Sequence, residues 1–199
     1  MSSAQQKPKA KRDTKRLILD ICERYLMQWG YNVFSYHHIA DELGVKNAAI
    51  HYHFRTKSDL AVAVLLRYRA RFIRWTQTVE SLPPQAQLDA YMRLSLHFVL
   101  NQRVGVLVTL GTEYNTLPEP LQEQVKLLQD EIFTWFAALL ERGRSSGDFV
   151  FNGTAHAMAS LIATTMLGSQ LLGRVRGIEP FEEVVEQVHF IVGMKRNSP

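Results

Sequence analysis

The chain has 199 residues, of which 46% are hydrophobic and 21% are charged. This composition excludes a disordered or fibrous chain, and the length accommodates a medium-sized domain together with a smaller one. The single cysteine, Cys22, excludes an intramolecular disulfide bond. Because no signal-peptide pattern accompanies it, we expect a cytoplasmic protein.

Positive charge is concentrated in the first part of the chain. Residues 1–57 hold ten Lys and Arg against five Asp and Glu, whereas residues 58–199 hold thirteen against fourteen. This asymmetry is typical of a nucleic-acid-binding segment attached to a neutral domain. We expect residues 1–13 to form a mobile basic arm, which either is simply disordered or touches DNA phosphates.

Two helices are predicted before position 45. Hydrophobic residues recur at helical spacing from Thr14 to Trp29, and Gly30 ends the run. Ser35 is a favourable N-cap for the next helix, and Gly44 follows where a helix needs a residue that tolerates positive φ. We therefore predict that this second helix stops just before Gly44.

A third helix of about two turns is predicted from Lys46 to Phe54. Ile50 and Phe54 lie four residues apart and face inward, which leaves small and polar side chains on the other face. Two helices joined by a short turn containing glycine, the second exposing such residues, indicate a helix-turn-helix that reads the major groove of DNA.

A long helix is predicted to begin at a capping box. Thr56 and Asp59 have the spacing of that motif, with Asp in place of the usual Glu or Gln. The helix from Lys57 to about Gln77 is roughly 30 Å long and joins the reading helices to the rest of the chain. We expect its arginines to form a solvated face.

Seven short motifs of this segment follow one family pattern, namely Arg16-Leu17-Ile18-Leu19, Gly30-Tyr31, Phe34-Ser35, Ile39-Ala40, Leu43-Gly44-Val45, Ala49-Ile50-His51-Tyr52-His53-Phe54 and Lys57-Ser58-Asp59-Leu60. Through them the chain resembles the N-terminal domain of the tetracycline-repressor (TetR) family over roughly residues 14–65. The sequence departs from the family pattern at Lys46, Ala48 and His51, which leaves the operator sequence open.

The resemblance implies a dimer that binds a palindromic double-stranded DNA operator. It divides the chain into a helix-turn-helix head, residues 14–57, and an effector-binding and dimerisation body, residues 58–199. It also implies DNA contacts from the residues at and beside the reading helix, which are Ser35, Tyr36, His37, Lys46, Asn47, Ala48, Ala49, His51, Tyr52, His53 and Lys57.

The body is predicted to be helical throughout, giving an all-α protein of about nine helices. Helical spacing predicts segments at 85–101, 104–115, 121–144, 152–172 and 180–194, with Asn152 as a cap and a break from Gly173 to Gly177. The uncharged stretch 149–173 contains too many polar residues for a membrane span.

The last two helices are the predicted dimer interface, as the resemblance implies. Small uncharged residues on the first of them let helices approach closely and need to be covered, although the centre of the monomer core is an alternative place for them. The predicted interface residues are Ala159, Ala163, Leu167, Val184, Val188 and Ile191.

The body is larger than a dimer clamp requires, and its aromatic residues with scattered polar partners suit a pocket for an apolar or aromatic small molecule. Each aromatic residue has core packing as its alternative role. The predicted lining comprises Phe72, Tyr91, His97, Phe98, Tyr114, Trp135, Met158 and Gln170.

The seven histidines do not predict a metal site. His51 and His53 point about 200° apart in a helix, and the adjacent His37 and His38 also diverge. No phosphate loop, nucleophile elbow or zinc-protease motif is present, so we expect neither catalysis nor a cofactor. The alternatives to a ligand-gated repressor are a DNA-binding protein without an effector and, less favoured, an α-helical enzyme.

Overall fold

The computed structural model describes the backbone of residues 7–194 and the side chains of residues 13–194. Across this range the chain is all-helical, with nine α-helices and one 3-10 helix at Tyr114–Thr116, which confirms the predicted class. The α-helices are α1 (Lys7–Trp29), α2 (Tyr36–Leu43), α3 (Asn47–His53), α4 (Lys57–Val79), α5 (Pro84–Leu100), α6 (Val106–Thr112), α7 (Glu119–Ser146), α8 (Ala155–Arg176) and α9 (Glu179–Ile191).

The predicted basic arm lies almost wholly outside the residues whose side chains are described. The backbone of α1 begins at Lys7, ahead of the predicted start at Thr14. Alanine, lysine and arginine are strong helix formers, and Pro8 stands in the first turn, where a proline removes no helical hydrogen bond.

The two predicted signals that bound α2 are both confirmed. Ser35 is the N-cap, and its hydroxyl accepts a hydrogen bond from the N–H of His38 at 3.5 Å. The imidazole of His38 returns the interaction by accepting from the N–H of Ser35 at 3.3 Å. At the other end Gly44 adopts φ 64° and ψ 35°, a left-handed conformation in which glycine carries no Cβ penalty.

The capping box of α4 is also confirmed. Thr56 accepts from the N–H of Asp59 at 3.0 Å, and the Asp59 carboxylate accepts from the N–H of Thr56 at 3.0 Å. The helix continues to Val79 and packs against α1 on one side and α7 on the other. It therefore belongs to the cores of both the head and the body.

The expectation that the α4 arginines form a solvated face is wrong for two of them. Arg67 pairs with Asp20 and Glu23 of α1, at 2.6 and 2.5 Å. On the opposite side Arg69 pairs with Glu131 of α7 at 2.5 Å. Since α4 lies between two helices, these long side chains reach carboxylates on both neighbours.

The start of α8 differs from the prediction. Thr154, and not Asn152, is the N-cap, and its hydroxyl accepts from the N–H of Ala157 at 3.1 Å. Two residues satisfy the preference for a polar cap here, and only the backbone conformation chooses between them. None of the helices in the described range combines the length and apolar composition needed to cross a membrane.

The predicted break at Gly173 is also wrong, because α8 continues to Arg176 and ends at Gly177 with φ 92°. Gly173 serves packing instead. A Cβ at this position would lie 2.7 Å from a methyl carbon of Val99, so the glycine lets α5 approach α8 closely.

Candidate nucleic-acid interface and interhelical cavity

The reading helix α3 buries one face and presents the other. Ile50 has no exposed surface, and Phe54 at the helix end is buried as well. These two side chains anchor α3 and orient its remaining residues outward. The Tyr52 side chain is 68% exposed. Other predicted DNA-contacting residues also lie at the surface, namely Lys46, Asn47, Ala48 and His51, whereas Ala49 and His53 are half-buried.

Of the predicted DNA-contacting residues at the start of α2, Tyr36 supports α3. The buried Tyr36 donates its hydroxyl hydrogen to the carbonyl of Phe54 at 3.0 Å, and its ring packs edge-on against His51. These two contacts of Tyr36 fix the position of α3 on the core of the head. His37 is exposed and Ser35 is half-buried. DNA contacts from these residues stay predictions.

Lys57 is tied to the aromatic residues of the head. Its ammonium group lies 4.6 Å from the ring centroids of both Tyr31 and Phe34, and it faces the carbonyl of Asn32 at 3.4 Å. Burial lowers the pKa of Lys57 from its ordinary value, and the charge of Glu113 opposes this shift. The side chain has a packing role here, and its contact with phosphate stays a prediction.

The histidines of the head are separated by the helices that carry them. The Nδ1 of His51 faces the carbonyl of Arg55 at 3.2 Å, and His37 lies 3.3 Å from Asp41 on its own helix. Among the residues that the structure describes, no three His, Cys, Asp or Glu side chains converge as metal ligands would.

A cavity of about 360 Å³ lies between the helices of the body and α1 of the head, bordered by α1, α4, α5, α6, α7 and α8. Its volume falls in the range of about 300–1,000 Å³ that is usual for small-molecule sites. Five of the predicted lining residues border it, namely Phe72, Tyr91, His97, Phe98 and Gln170. The remaining lining consists of Glu23, Met27, Tyr68, Arg71, Trp75, Leu94, Ser95, Asn101, Arg103, Gly105, Val106, Leu107, Ile132 and Leu167.

Three predicted lining residues do not border the cavity. Trp135 packs against two lining residues from the side away from the cavity. Its ring centroid lies 5.1 Å from that of Trp75 and 5.8 Å from that of Tyr91. Tyr114 belongs to the 3-10 helix, and Met158 packs against the core near the start of α8. Helical spacing identifies the apolar face of a helix but not which part of that face meets empty space.

Several lining residues were missed in the sequence. Tyr68 and Trp75 lie four residues before and three residues after Phe72, so helical spacing alone was a sufficient signal for them. Arg71 and Arg103 carried no such signal, because nothing local distinguishes a cavity-lining arginine from a solvated one.

Two buried polar groups shape the interior of the cavity. Gln170 accepts a hydrogen bond from the N–H of Gly105 at 2.8 Å, which joins α8 to the start of α6. Burial raises the pKa of Tyr91 to about 12, although a hydrogen bond with Ser95 opposes this shift. Its phenol therefore stays protonated at neutral pH.

A contact between α6 and the head connects the cavity with the reading helices. Glu113 follows α6 directly, and its carboxylate accepts from the backbone N–H groups of Tyr31 and Asn32 at 2.5 and 3.1 Å. The side chain of Asn32 also donates to the hydroxyl of Thr116 at 2.9 Å. A Cβ on Gly30 would lie 2.6 Å from the Glu113 carboxylate and would displace it, and the φ of 81° also favours glycine here.

Comparison with protein-family models gives two matches. Residues 18–64 match the model described as bacterial regulatory proteins of the tetR family. Residues 81–170 match a C-terminal domain described as tetracyclin repressor-like. The first match includes α2 and α3, and the second includes most of the helices around the cavity.

Individual relatives span nearly the whole chain. The transcriptional repressor NemR of Escherichia coli strain K12 is 22% identical over 187 residues, which are 90% of this chain and 94% of that protein. The structure of E. coli NemR in its reduced form has a TM-score of 0.79 at 24% identity, covering 92% of this chain and 100% of that one.

Two further solved structures share the fold. A TetR-family transcriptional regulator from Agrobacterium tumefaciens has a TM-score of 0.87 at 29% identity, covering 92% of this chain and all of that one. A regulator from Saccharomonospora viridis in complex with choline has a TM-score of 0.72 at 23% identity, covering 90% of this chain and 95% of that one. The likeness to this last structure shows the fold alone.

Proposed function

The chain belongs to the TetR family of transcriptional regulators, and we propose that it is a repressor whose dimer binds a palindromic operator and is released by a small molecule. The observation that carries this proposal is the exposed face of α3. Asn47, His51 and Tyr52 are exposed on this helix, which the buried side chain of Ile50 anchors to the core. Amide, imidazole and phenol groups read base edges and phosphates. We place this regulator in the cytoplasm, where it reaches the chromosome.

An exposed apolar stripe supports a dimer built on α8 and α9. Leu161, Leu171 and Val175 are 51%, 49% and 79% exposed along one face of α8, and Phe190 of α9 is 76% exposed. Nothing lies within 4 Å of a Cβ built on Gly168, which is on the same face. A contiguous apolar surface of this kind is typical of an interface between subunits.

The proposed interface therefore uses other residues than those selected from the sequence. Ala159, Ala163 and Val188 are buried within the chain's own core, at 0%, 3% and 1% exposure. Leu167 borders the cavity, while Val184 and Ile191 pack partly against the core. The helices remain the proposed ones, but the opposite face of α8 meets the second subunit.

The cavity favours a ligand-gated repressor over a DNA-binding protein without an effector. A protein that only clamps DNA gains nothing from about 360 Å³ of space between its helices, because unfilled volume costs packing energy. The contacts of Glu113 with Tyr31 and Asn32 offer a path from this cavity to the head. A ligand acts along it only if it binds the released conformation more tightly than the DNA-bound one.

The experiment is selection of operators from random double-stranded DNA by the purified protein, followed by gel-shift titration of the enriched sequence. We expect an inverted repeat bound by two subunits, with at least about a thousandfold preference over random DNA. A screen of apolar and aromatic compounds then seeks loss of the shifted band. Enrichment of no sequence would contradict the repressor proposal, and operator binding without any releasing compound would favour the effector-free alternative.

A further inference from the structure

The cavity has two chemically different ends. At one end the rings of Phe72, Trp75 and Tyr91 face one another, with 5.8 and 6.0 Å from the Trp75 centroid to the other two. At the other end stand Asn101 and Arg103, where α5 ends and the chain turns into α6. Tyr91 and Asn101 are ten residues apart, so the ends are separated by about 15 Å along the helix axis.

The only carboxylate on the cavity lining of the described chain is already neutralised. One oxygen of Glu23 accepts from Arg71, and the other accepts from Arg67 at 2.5 Å. A cationic ligand would find no uncompensated negative charge here, and it would lie close to Arg71. The lining therefore offers an organic cation only its aromatic rings, and no carboxylate with which to pair.

Arg103 is the one lining cation without an anionic partner in the described part of the chain, since no carboxylate lies within ion-pair distance of it. Its backbone is held in place by the turn that ends α5. The N–H of Arg103 donates to the carbonyl of Phe98 at 2.8 Å, and that of Gln102 donates to Val99 at 2.9 Å. Together with the positive φ of Gln102, 52°, these hydrogen bonds define a Schellman turn. The turn fixes the backbone of Arg103 at the rim of the cavity.

A hydrogen-bond donor lies near the loop that follows this arginine. The Tyr68 hydroxyl lies 4.0 Å from the position that a Cβ on Gly105 would occupy, which places it at the loop end of the cavity. Burial raises the pKa of Tyr68 above its ordinary value, so the phenol keeps its proton. A guanidinium and a phenol O–H together suit a carboxylate oxygen pair.

We propose that the cavity binds an amphiphilic organic acid, with an aromatic body between Phe72, Trp75 and Tyr91 and a carboxylate paired with Arg103. The proposal deepens the effector-site assignment and rests on it for the choice of cavity. The aromatic end can pack against any apolar ligand, but only a ligand with an anionic head can form an ion pair with Arg103.

The test uses three probes that share one ring system, namely 4-(2-naphthyl)butanoate, 4-(2-naphthyl)butanamide and trimethyl[3-(2-naphthyl)propyl]ammonium, whose chains let the head group extend from the aromatic end toward Arg103. Binding to the full-length protein is measured by calorimetry at pH 7.5, without DNA. We expect the acid to bind at least about tenfold more tightly than the amide, because a charge-assisted hydrogen bond contributes more than a neutral one. The ammonium probe should bind most weakly of the three.

Variants assign the preference to one side chain. Arg103→Gln should abolish the difference between acid and amide, chiefly by weakening the binding of the acid, and Arg103→Lys should keep part of that difference. Arg93→Gln is the matched control, because Arg93 is exposed on α5 and does not border the cavity.

The inference is overturned if the amide or the ammonium probe binds as tightly as the acid, if none of the three binds, or if Arg103→Gln keeps the preference. Operator release is scored separately, by gel shift at saturating acid. Tight acid binding without release would count against the effector proposal and leave the ligand class intact. Release of the operator by a neutral or cationic compound would support the effector proposal and count against an organic acid as the ligand.

Discussion

The carboxylate of Glu113 accepts a hydrogen bond from the backbone N–H of Tyr31, 82 positions earlier in the sequence, at a distance of 2.5 Å. Its second oxygen accepts from the N–H of Asn32 at 3.1 Å. Because Glu113 directly follows α6, and α6 lines the cavity, these hydrogen bonds join the wall of the cavity to the loop that precedes α2.

Replacing Glu113 by Ala should lower the free energy of unfolding by about 1–2 kcal/mol, since two N–H groups lose a charged acceptor and one of them can still reach water. Urea titration followed by circular dichroism measures the change. Glu123→Ala, an exposed position on α7, should leave the midpoint unchanged. Equal stability of both variants would show that the joint contributes nothing to folding.

The same substitution should weaken the coupling between ligand and DNA. Glu113→Ala is expected to bind each partner alone, while more ligand is needed to release the operator, because the link between α6 and the head is lost. Gel-shift titrations with and without the ligand give the ratio of operator affinities. An unchanged ratio would place the coupling path elsewhere.

Asn47 and Lys46 should have different roles on DNA, although they are neighbours at the start of α3. Asn47→Ala should reduce the preference for operator over random DNA, with about 1–3 kcal/mol of discrimination at stake for a bidentate base contact. Lys46→Ala should weaken both complexes equally and make the salt dependence less steep by about one unit. Fluorescence anisotropy at several salt concentrations measures both effects, and equal losses for Asn47→Ala would remove it from base readout.

Glutamate on the exposed face of α8 should separate the proposed dimer. Leu171→Glu and Val175→Glu place a charge where the second subunit is expected, and sedimentation equilibrium should report monomers. Val33→Glu, 61% exposed on the head, is the control and should stay dimeric. Ala159→Glu should unfold the chain instead, because that position has no exposed surface. A dimer in both α8 variants would refute this interface.

Cys22 should be inert in the folded protein. The thiol is fully buried, and burial raises its pKa above the ordinary value of 9.0. We expect no reaction with iodoacetamide at pH 8 over the time in which the urea-unfolded chain is fully alkylated. Mass spectrometry compares the two samples. Rapid labelling of the native protein would contradict the buried, protonated thiol.

The same burial predicts how Cys22 affects stability at alkaline pH. Because the folded pKa is raised, both states hold the proton below pH 9.0, and only the unfolded chain loses it above that value. The free energy of unfolding should therefore fall as the pH rises above about 9. Cys22→Ala should reduce this dependence, and urea titrations between pH 7.5 and 10 measure it.

Gln102 should be a point of local strain that glycine relieves. It is the one non-glycine residue with positive φ in the described range, at 52°. Because a left-handed conformation costs an L-residue about 1–2 kcal/mol, Gln102→Gly should raise the melting temperature despite the added freedom of the unfolded chain. Scanning calorimetry tests this, with Gln129→Gly, on the exposed side of α7, expected to lower the melting temperature. A lower value for Gln102→Gly would contradict the strain.

The local features of the head could be read from the sequence because their partners are close neighbours along the chain. The caps at Ser35 and Thr56 bond groups three residues away, and Gly44 ends α2 through its own backbone freedom. Helical spacing also separated buried from exposed residues of α3. Interactions of this kind depend on residue type and spacing alone, so composition and periodicity are sufficient to predict them.

The tertiary structure decided everything that depends on partners distant in sequence. The fold brings Glu113 to Tyr31 and the guanidinium of Arg67 to Glu23, and it turns Ala159 inward while Leu171 stays outside. Arg103 acquires its place at the cavity rim only because a turn at the end of α5 points it there. An arginine or an alanine has no local property that reveals its neighbour, and only packing of the helices assigns one.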